Sequence, residues 1–526
     1  MVSVGVDDYR RKKAADVDRF GGLVFVTDRI EIDSPPLIAA HDCHFKAAPA
    51  EMLDALPPHL SAHGPLVLWQ RLALLLVVTT LSATLLMHGL EVLLLVVTAA
   101  LGPVFLCIIV IRWAALAHLS AASTQPSTPS PIGDADPKAN GGWPFYSIIV
   151  PLYREAGVVD ELLAALAAID YPADRREVLF AIEAGDYETA AALARAVLPP
   201  GFRVLTLERS NPQTKPHALM RALAYARGTY VVVYDAEDLP EPDQLRRAVA
   251  AFRSGGPRLG CLQARLNIYN RNANWLTRQF ALEYTALFDA ILPALKSFAL
   301  PVPLGGTSNH FPRDVLIAVG GWDPYNVTED ADLGIRLLRS GFQVDMLPST
   351  TWEEAPPRLS IWMGQRIRWL KGWMQTFLVH TRNPARTCRE MGIWPFLGLN
   401  VLMGGVIVSA LVHPWAYVAA LWVTATNGTF LAPPADNVSL VLWLVGLSNL
   451  LAAYAVSIAL SLLAAKRRGF SDLFATAWTL PIYWLLISAA AYRALIELVV
   501  APQRWRKTAH APGRHFPVEQ QAPSAS

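Results

Sequence analysis

Charged residues are scarce in this chain. They fill 17% of its 526 positions, against 53% hydrophobic ones, and that shortage excludes an ordinary soluble enzyme of this length. A net charge of +2 offers no basic footprint to a nucleic acid, so no such partner is expected. Cysteine is scarcer still. Cys43, Cys107, Cys261 and Cys388 stand far apart with no C-x-x-C pair, which excludes a disulfide framework and a structural zinc site. His41-Asp42-Cys43-His44 groups ligand-type side chains, but no second ligand pair follows at suitable spacing. There is no G-x-G-x-x-G and no Walker sequence, so neither a dinucleotide fold nor a P-loop has support. The N-terminus is polar (Asp7, Asp8, Arg10 to Lys13) with no apolar run behind it, unlike a cleaved signal peptide.

What the chain has in plenty is apolar sequence, gathered around a charge-bearing middle. Six parts are expected: an N-terminal cytoplasmic region (1–65), a transmembrane helical hairpin (66–116), a linker (117–142), a catalytic domain with interfacial helices (143–390), a C-terminal transmembrane region (391–500) and a tail (501–526). Leu72–Met87 and Leu90–Ile111 are apolar runs parted by His88-Gly89, each close to the roughly 20 residues that cross a bilayer. Lys and Arg flank both outer ends and are absent from the turn, which places the N-terminus and the middle domain in the cytoplasm. Phe396–Val423 and Asn437–Ala464 follow, joined by a loop without Lys or Arg; Lys466-Arg467-Arg468 then marks the return. The last apolar stretch, Asp472–Val500, is interrupted by Pro481 and carries Arg493 and Glu497. It is expected to be a broken or re-entrant piece ending in an interfacial helix, with a cytoplasmic tail. In residues 1–65, Leu23–Val26 and Ile30–Ile32 hint at strands. High alanine content suits a bacterial inner membrane.

The middle reads as α/β. Strand-like runs at Tyr146–Val150, Val178–Ile182, Val204–Leu207 and Tyr230–Tyr234 alternate with helical stretches, the pattern of a parallel-type sheet. Ligands of such sheets bind beyond the strands' carboxyl ends. Polar residues fall there: Arg154 and Glu155 after the first strand, Glu183 and Asp186 after the second, Asp235-Ala236-Glu237-Asp238 after the fourth. Carboxylates gathered in this way call for a divalent cation or a basic group. Further on stand Thr328-Glu329-Asp330 and Gln365-Arg366-Ile367-Arg368-Trp369.

Taken with the Val150-Pro151 strand end and Lys215, these motifs make the segment Tyr146 to Asn383 resemble the family 2 glycosyltransferases, the inverting enzymes that include cellulose, chitin and hyaluronan synthases. Gln-x-x-Arg-Trp between membrane spans is typical of the processive members. The resemblance implies a glycosyltransferase A-like α/β domain, inserted between transmembrane helices, that takes a nucleotide-diphosphate sugar and a glycan acceptor. Asp235 and Glu237 match the D-x-D pair, with Glu in the third place, and would hold Mg2+ or Mn2+; Asp238 is in reserve, and an acidic turn before Pro240 is the other reading. Asp330 would be the base that takes the acceptor's proton, or else a helix cap. Glu183, Asp186 and Lys215 would contact the nucleotide sugar. Gln365, Arg368 and Trp369, spaced i, i+3, i+4, share one helix face toward the acceptor, on a stretch that also reads as an amphipathic interfacial helix. Gly306 and Thr307 fit a loop close to the acceptor, or a plain turn. Lys507, in Trp505-Arg506-Lys507-Thr508, would close over the diphosphate as part of a lid, or anchor the chain at the membrane.

The reading is therefore a membrane-embedded, metal-dependent transferase that extends a polysaccharide and passes it outward, with an export or activating partner left open. The alternatives are a non-processive transferase to a lipid-linked acceptor and a nucleotide-sensing transporter.

Overall fold

The computed structural model describes residues 56–64, 66–121, 142–429, 436–505 and 507. The strand hints before residue 33, the His41–His44 cluster, Arg506 and Thr508 lie outside them.

The centre is an eight-stranded sheet: β1 (Tyr146–Leu152), β2 (Arg176–Glu183), β3 (Phe202–Leu207), β4 (Tyr230–Val233), β5 (Leu239–Pro240), β6 (Leu259–Ile268), β7 (Asn309–Pro312) and β8 (Gln343–Glu353). Their spatial order is β3-β2-β1-β4-β7-β6-β8-β5. Side chains alternate across a strand, and β1 obeys this strictly. Ile148 and Val150 pack with Leu162, Leu163 and Leu166 on one side, while Ile149 packs with α2 residues Leu219 and Leu223 on the other (α1, Leu68–Ala121; α2, Lys215–Leu223).

The parallel expectation holds for β3-β2-β1-β4 and fails beyond it. Strand β7 is antiparallel to both neighbours, β8 is parallel to β6, and β5 is antiparallel to β8, so the sheet is mixed. The signal was masked because β6 buries polar side chains. Gln263 and Asn267 are fully buried, which hides an apolar run, and each is satisfied internally as burial requires.

Six further helices matter: α3 (Trp275–Ala286), α4 (Glu329–Arg339), α5 (Leu359–His380), α6 (Gly405–Asn427), α7 (Asn437–Arg467) and α8 (Leu480–Val500). Four stretches among the described residues are long and apolar enough to cross a membrane: Leu68–Ala121, Ile393–Thr426, Asn437–Arg467 and Leu480–Val500.

Helix α1 breaks at Gly89, whose φ of 80° lies where only glycine is unstrained. Both of its ends rest on the sheet domain. Gln70 Nε2 donates to Leu378 O at 2.8 Å, and Ala115 and Leu119 pack against Ala286, Ala290 and Ala294. A straight helix of this length would part those ends by about 80 Å, so the chain doubles back at Gly89. Its second half then runs alongside α7 in the same direction, with Gly102 against Val445 and Arg112 bonded to Ser457.

Helix α8 also touches the domain at both ends. Thr479, at its start, accepts from Trp275 Nε1 at 2.7 Å. Past its end, the carbonyls of Ala501 and Arg504 accept from Lys371 Nζ.

Candidate active site

A cavity of about 480 Å³ opens at the carboxyl ends of β1, β2 and β4 and continues between α1, α7 and α8. Its walls include Glu183, Lys215, Asp235, Glu237, Gly306, Thr307, Asp330, Gln365, Arg368, Trp369 and Lys507. Of the expected site residues, Asp186 is the one left out. Its carboxylate accepts from the backbone N–H of Thr189 (3.2 Å) and of Arg154 (2.5 Å), so it caps the helix Tyr187–Arg195 and ties down the turn after β1.

Lys215 stands at the start of α2 and joins two halves of the site. Its ammonium pairs with Asp235 Oδ1 and donates to Gly306 O at 2.7 Å. Burial disfavours its charge, but Asp235 and Glu329 outweigh this and push its pKa up. Glu183 accepts from Ser210 Oγ at 3.0 Å and from Gln213 Nε2, which fixes its place in the cavity wall at the end of β2.

The acidic run after β4 divides its tasks. Asp238 turns inward: its Oδ2 accepts from Asp235 N at 2.7 Å and from Thr307 Oγ1, while its Oδ1 is buried without a partner. Burial, with Asp235 and its acidic neighbours, pushes Glu237 and Asp238 well above the usual carboxylate range. Glu353, at the end of β8, is pushed up in the same way by burial, Asp238 and Glu237. Such a group of hard oxygen donors fits a divalent cation, whose charge would relieve the repulsion. Among the described residues no three such side chains converge as a ready-made cage.

Asp330 lies in the first turn of α4. Its Oδ1 accepts from Ala331 N at 2.8 Å, and a Cβ built on Gly306 would sit 3.3 Å from its Oδ2. Glycine there lets the loop pass close to the carboxylate. Gln263 holds that loop, accepting from Gly305 N (2.7 Å) and donating to Thr307 O (3.1 Å). Burial raises the pKa of Asp330, opposed by Lys215 and Arg368, and burial with Asp330 pushes the neighbouring Glu329 up to about 8. A base works only when deprotonated, so activity should fall as pH drops through the raised value. We expect the acidic limb of a kcat–pH profile to lie above the usual aspartate range near 3.9. A limb at or below that range would remove Asp330 from the role.

On α5, Gln365, Arg368 and Trp369 do share the cavity wall. The Trp369 ring is already engaged, stacked on Tyr284 with the Arg366 guanidinium 4.5 Å from its centre. Arg366 fills an unspecified position of the Gln-x-x-Arg-Trp pattern. It is buried and joins Glu283 (2.7 Å) and Tyr483 (3.0 Å), binding α5 to α3 and α8. Glu155 and Trp505 also line the site, as do Glu283 and Glu353, which stand in no motif because their partners come from distant elements. Lys507 reaches Glu155 at 2.9 Å and the Arg154 carbonyl at 2.6 Å, beside the turn after β1. Unpartnered buried atoms gather in these walls: Thr328 Oγ1, Glu353 Oε1, Gln365 Oε1, Arg368 Nε and Trp505 Nε1. Buried polar groups without partners mark a place where a ligand completes the bonding.

The model of the family described as glycosyltransferase like family 2 matches residues 144–372. A beta-monoglucosyldiacylglycerol synthase of Synechocystis sp. is 29% identical over 294 residues, covering 54% of this chain and 60% of that protein. Cellulose synthase 2 of Novacetimonas hansenii is 26% identical over 238 residues, covering 44% of this chain and 14% of that protein. The chain thus spans three fifths and about one seventh of these two relatives' lengths. Among solved structures, a mannosyltransferase from Pyrobaculum calidifontis in complex with GDP-Man and Mn2+ covers 78% of this chain and 99% of its own, at 20% identity and a TM-score of 0.47.

Proposed function

We propose that this chain, whose residues 144–372 belong to the glycosyltransferase like family 2 and form its α/β domain, is a membrane hexosyltransferase. In this reading it moves a sugar from a nucleotide diphosphate to a lipid-borne acceptor. The acceptor hydroxyl attacks the anomeric carbon while the bond from that carbon to the diphosphate oxygen breaks. Asp330 takes the hydroxyl proton, the electron pair leaves with the nucleoside diphosphate, and the anomeric configuration inverts. Lys215, Arg368 and Lys507 face the leaving diphosphate. Asp235 and Glu237 would hold the divalent cation, which when bound stabilises the charge on that leaving group.

The observation that carries the lipid acceptor is where the cavity stops. On α7 its walls end at Ser457, Leu460 and Ser461, and on α1 they comprise Ile108, Ile111 and Arg112, all toward the ends nearest the sheet domain. About 30 Å of α7 lies between Ser457 and the helix start at Asn437. The walls there are mostly aliphatic, which suits a lipid entering sideways. A growing polysaccharide is the second reading, supported by Gln365, Arg368 and Trp369 standing in the same wall as Asp330. We place the domain in the cytoplasm of a bacterial cell, from the basic residues flanking the hairpin.

Purified protein in lipid, given a panel of nucleotide sugars with Mg2+ or Mn2+, should release nucleoside diphosphate and yield a singly glycosylated lipid. A high-molecular-weight ladder would instead establish polymerisation, and no release with any donor would remove the transferase reading. Asp235→Ala should weaken Mn2+-dependent donor binding about tenfold or more. Unchanged metal titration curves would take Asp235 out of the metal site.

A further inference from the structure

The catalytic end of the cavity is rich in carboxylates, while its membrane end holds a cation that they do not neutralise. Arg112 lines the cavity from the second half of α1. It donates to Ser457 Oγ, and its guanidinium lies 5.4 Å from the centre of the Trp484 ring. The carboxylate whose field reaches it is Glu283, and that group is committed to Arg366 and Tyr483 at 2.7 Å each. Among the described residues Arg112 makes no ion pair of its own. Ser461, one helical turn beyond Ser457, faces the same space, within walls of Ile108, Leu460 and Ile487.

A half-buried guanidinium with no ion pair of its own, set in a mostly apolar wall, points to an anionic partner. Guanidinium is the group best shaped to take two oxygens of a phosphate; Ser461 can add a hydroxyl donor beside it, while Ser457, whose own hydroxyl donates to Ala453 O at 2.6 Å, holds the guanidinium in place. An aliphatic surround admits a lipid and excludes freely hydrated solutes. We propose that Arg112, positioned by Ser457, and Ser461 bind the phosphate of a glycerophospholipid acceptor whose headgroup hydroxyl extends toward Asp330. This rests on the lipid-acceptor reading and refines it. A lipid ending in a bare phosphate is disfavoured, since its own anionic oxygen would attack without needing the base.

The test uses full-length protein in phosphatidylcholine nanodiscs doped with either phosphatidylglycerol, which carries phosphate and hydroxyls, or diacylglycerol, which carries a hydroxyl alone. Lipid product is followed by mass spectrometry with the donor found active. Transfer to phosphatidylglycerol is expected. Arg112→Leu should raise the KM for that lipid about tenfold or more while leaving the donor KM unchanged. Arg112→Lys should recover part of the loss, and Ser461→Ala should show a smaller rise of the same kind, which keeps the test open if Arg112→Leu misfolds. An unchanged lipid KM in these variants, or transfer to diacylglycerol alone, would overturn the phosphate site and leave the lipid reading standing. Inhibition by millimolar inorganic phosphate that disappears in Arg112→Leu, with no phosphatidylglycerol product, would reassign the site to free anions and overturn the proposal. A polymer product with no glycolipid from any disc would overturn the underlying reading as well.

Discussion

Asp330→Asn is expected to lower kcat by about 10²–10⁴-fold, the usual contribution of a positioned base, while leaving donor affinity within about twofold. Asparagine matches aspartate in shape and keeps an oxygen to accept the Ala331 N–H that Oδ1 now holds at 2.8 Å. It has no basic lone pair for a proton. The donor side should be spared because its contacts run through other residues: Lys215 to Asp235, Glu183 to Ser210 and Gln213. Nucleoside diphosphate release in the presence of acceptor measures the first effect, and calorimetric titration of donor the second. Wild-type turnover in Asp330→Asn would strip the residue of its role. Equal losses of turnover and donor affinity would point instead to a collapsed site.

Gly372→Ala should cost about 10²-fold in kcat/KM although no atom of Gly372 is reactive. In an isolated helix the change would be favourable by about 1 kcal/mol. Here a Cβ on Gly372 would lie 2.2 Å from Thr328 Oγ1, 2.6 Å from its Cγ2 and 2.7 Å from its backbone nitrogen. Something must move, and Thr328 is two residues from Asp330. A displacement of about 1 Å at a catalytic group commonly costs about 10²-fold. Adding Thr328→Ala should restore part of the activity, because two of the three close atoms belong to that side chain. The backbone nitrogen would still be crowded, so recovery should be incomplete. Steady-state rates and thermal unfolding of both variants check this; full activity in Gly372→Ala would show that the loop has room to shift.

Residues carried much of the site in plain view. Asp235, Glu237, Asp330, Gln365, Arg368 and Trp369 were legible because each stands in a short motif at a strand end or on one helix face, where chemistry and local geometry coincide. Asp186 looked equivalent to Glu183 from its place after β2. It differs because the backbone turns over it, so its carboxylate goes to Thr189 N and Arg154 N rather than to the cavity. Arg366 looked like a spacer, since nothing local says that Glu283, 83 positions away, waits across α3. The mixed half of the sheet was obscured for a related reason. Strands β6 and β8 bury Gln263, Asn267 and Thr351, whose hydrogen bonds come from other elements and break the apolar pattern.

The sequence by itself determined the local terms: which runs are apolar enough for a membrane, where strands alternate with helices, which motifs bring carboxylates to strand ends. These depend on neighbours within one or two turns, and hydrophobic period reports them directly. Only the tertiary structure decided that Lys215 links Asp235 to Gly306, that Gly372 makes room for Thr328, that Trp505 and Lys507 return to the turn after β1, and that Arg112 and Asp330 line one cavity. Each of those is a pairing between elements far apart in the chain, fixed by packing and by the need to satisfy buried polar groups, and no local pattern encodes it.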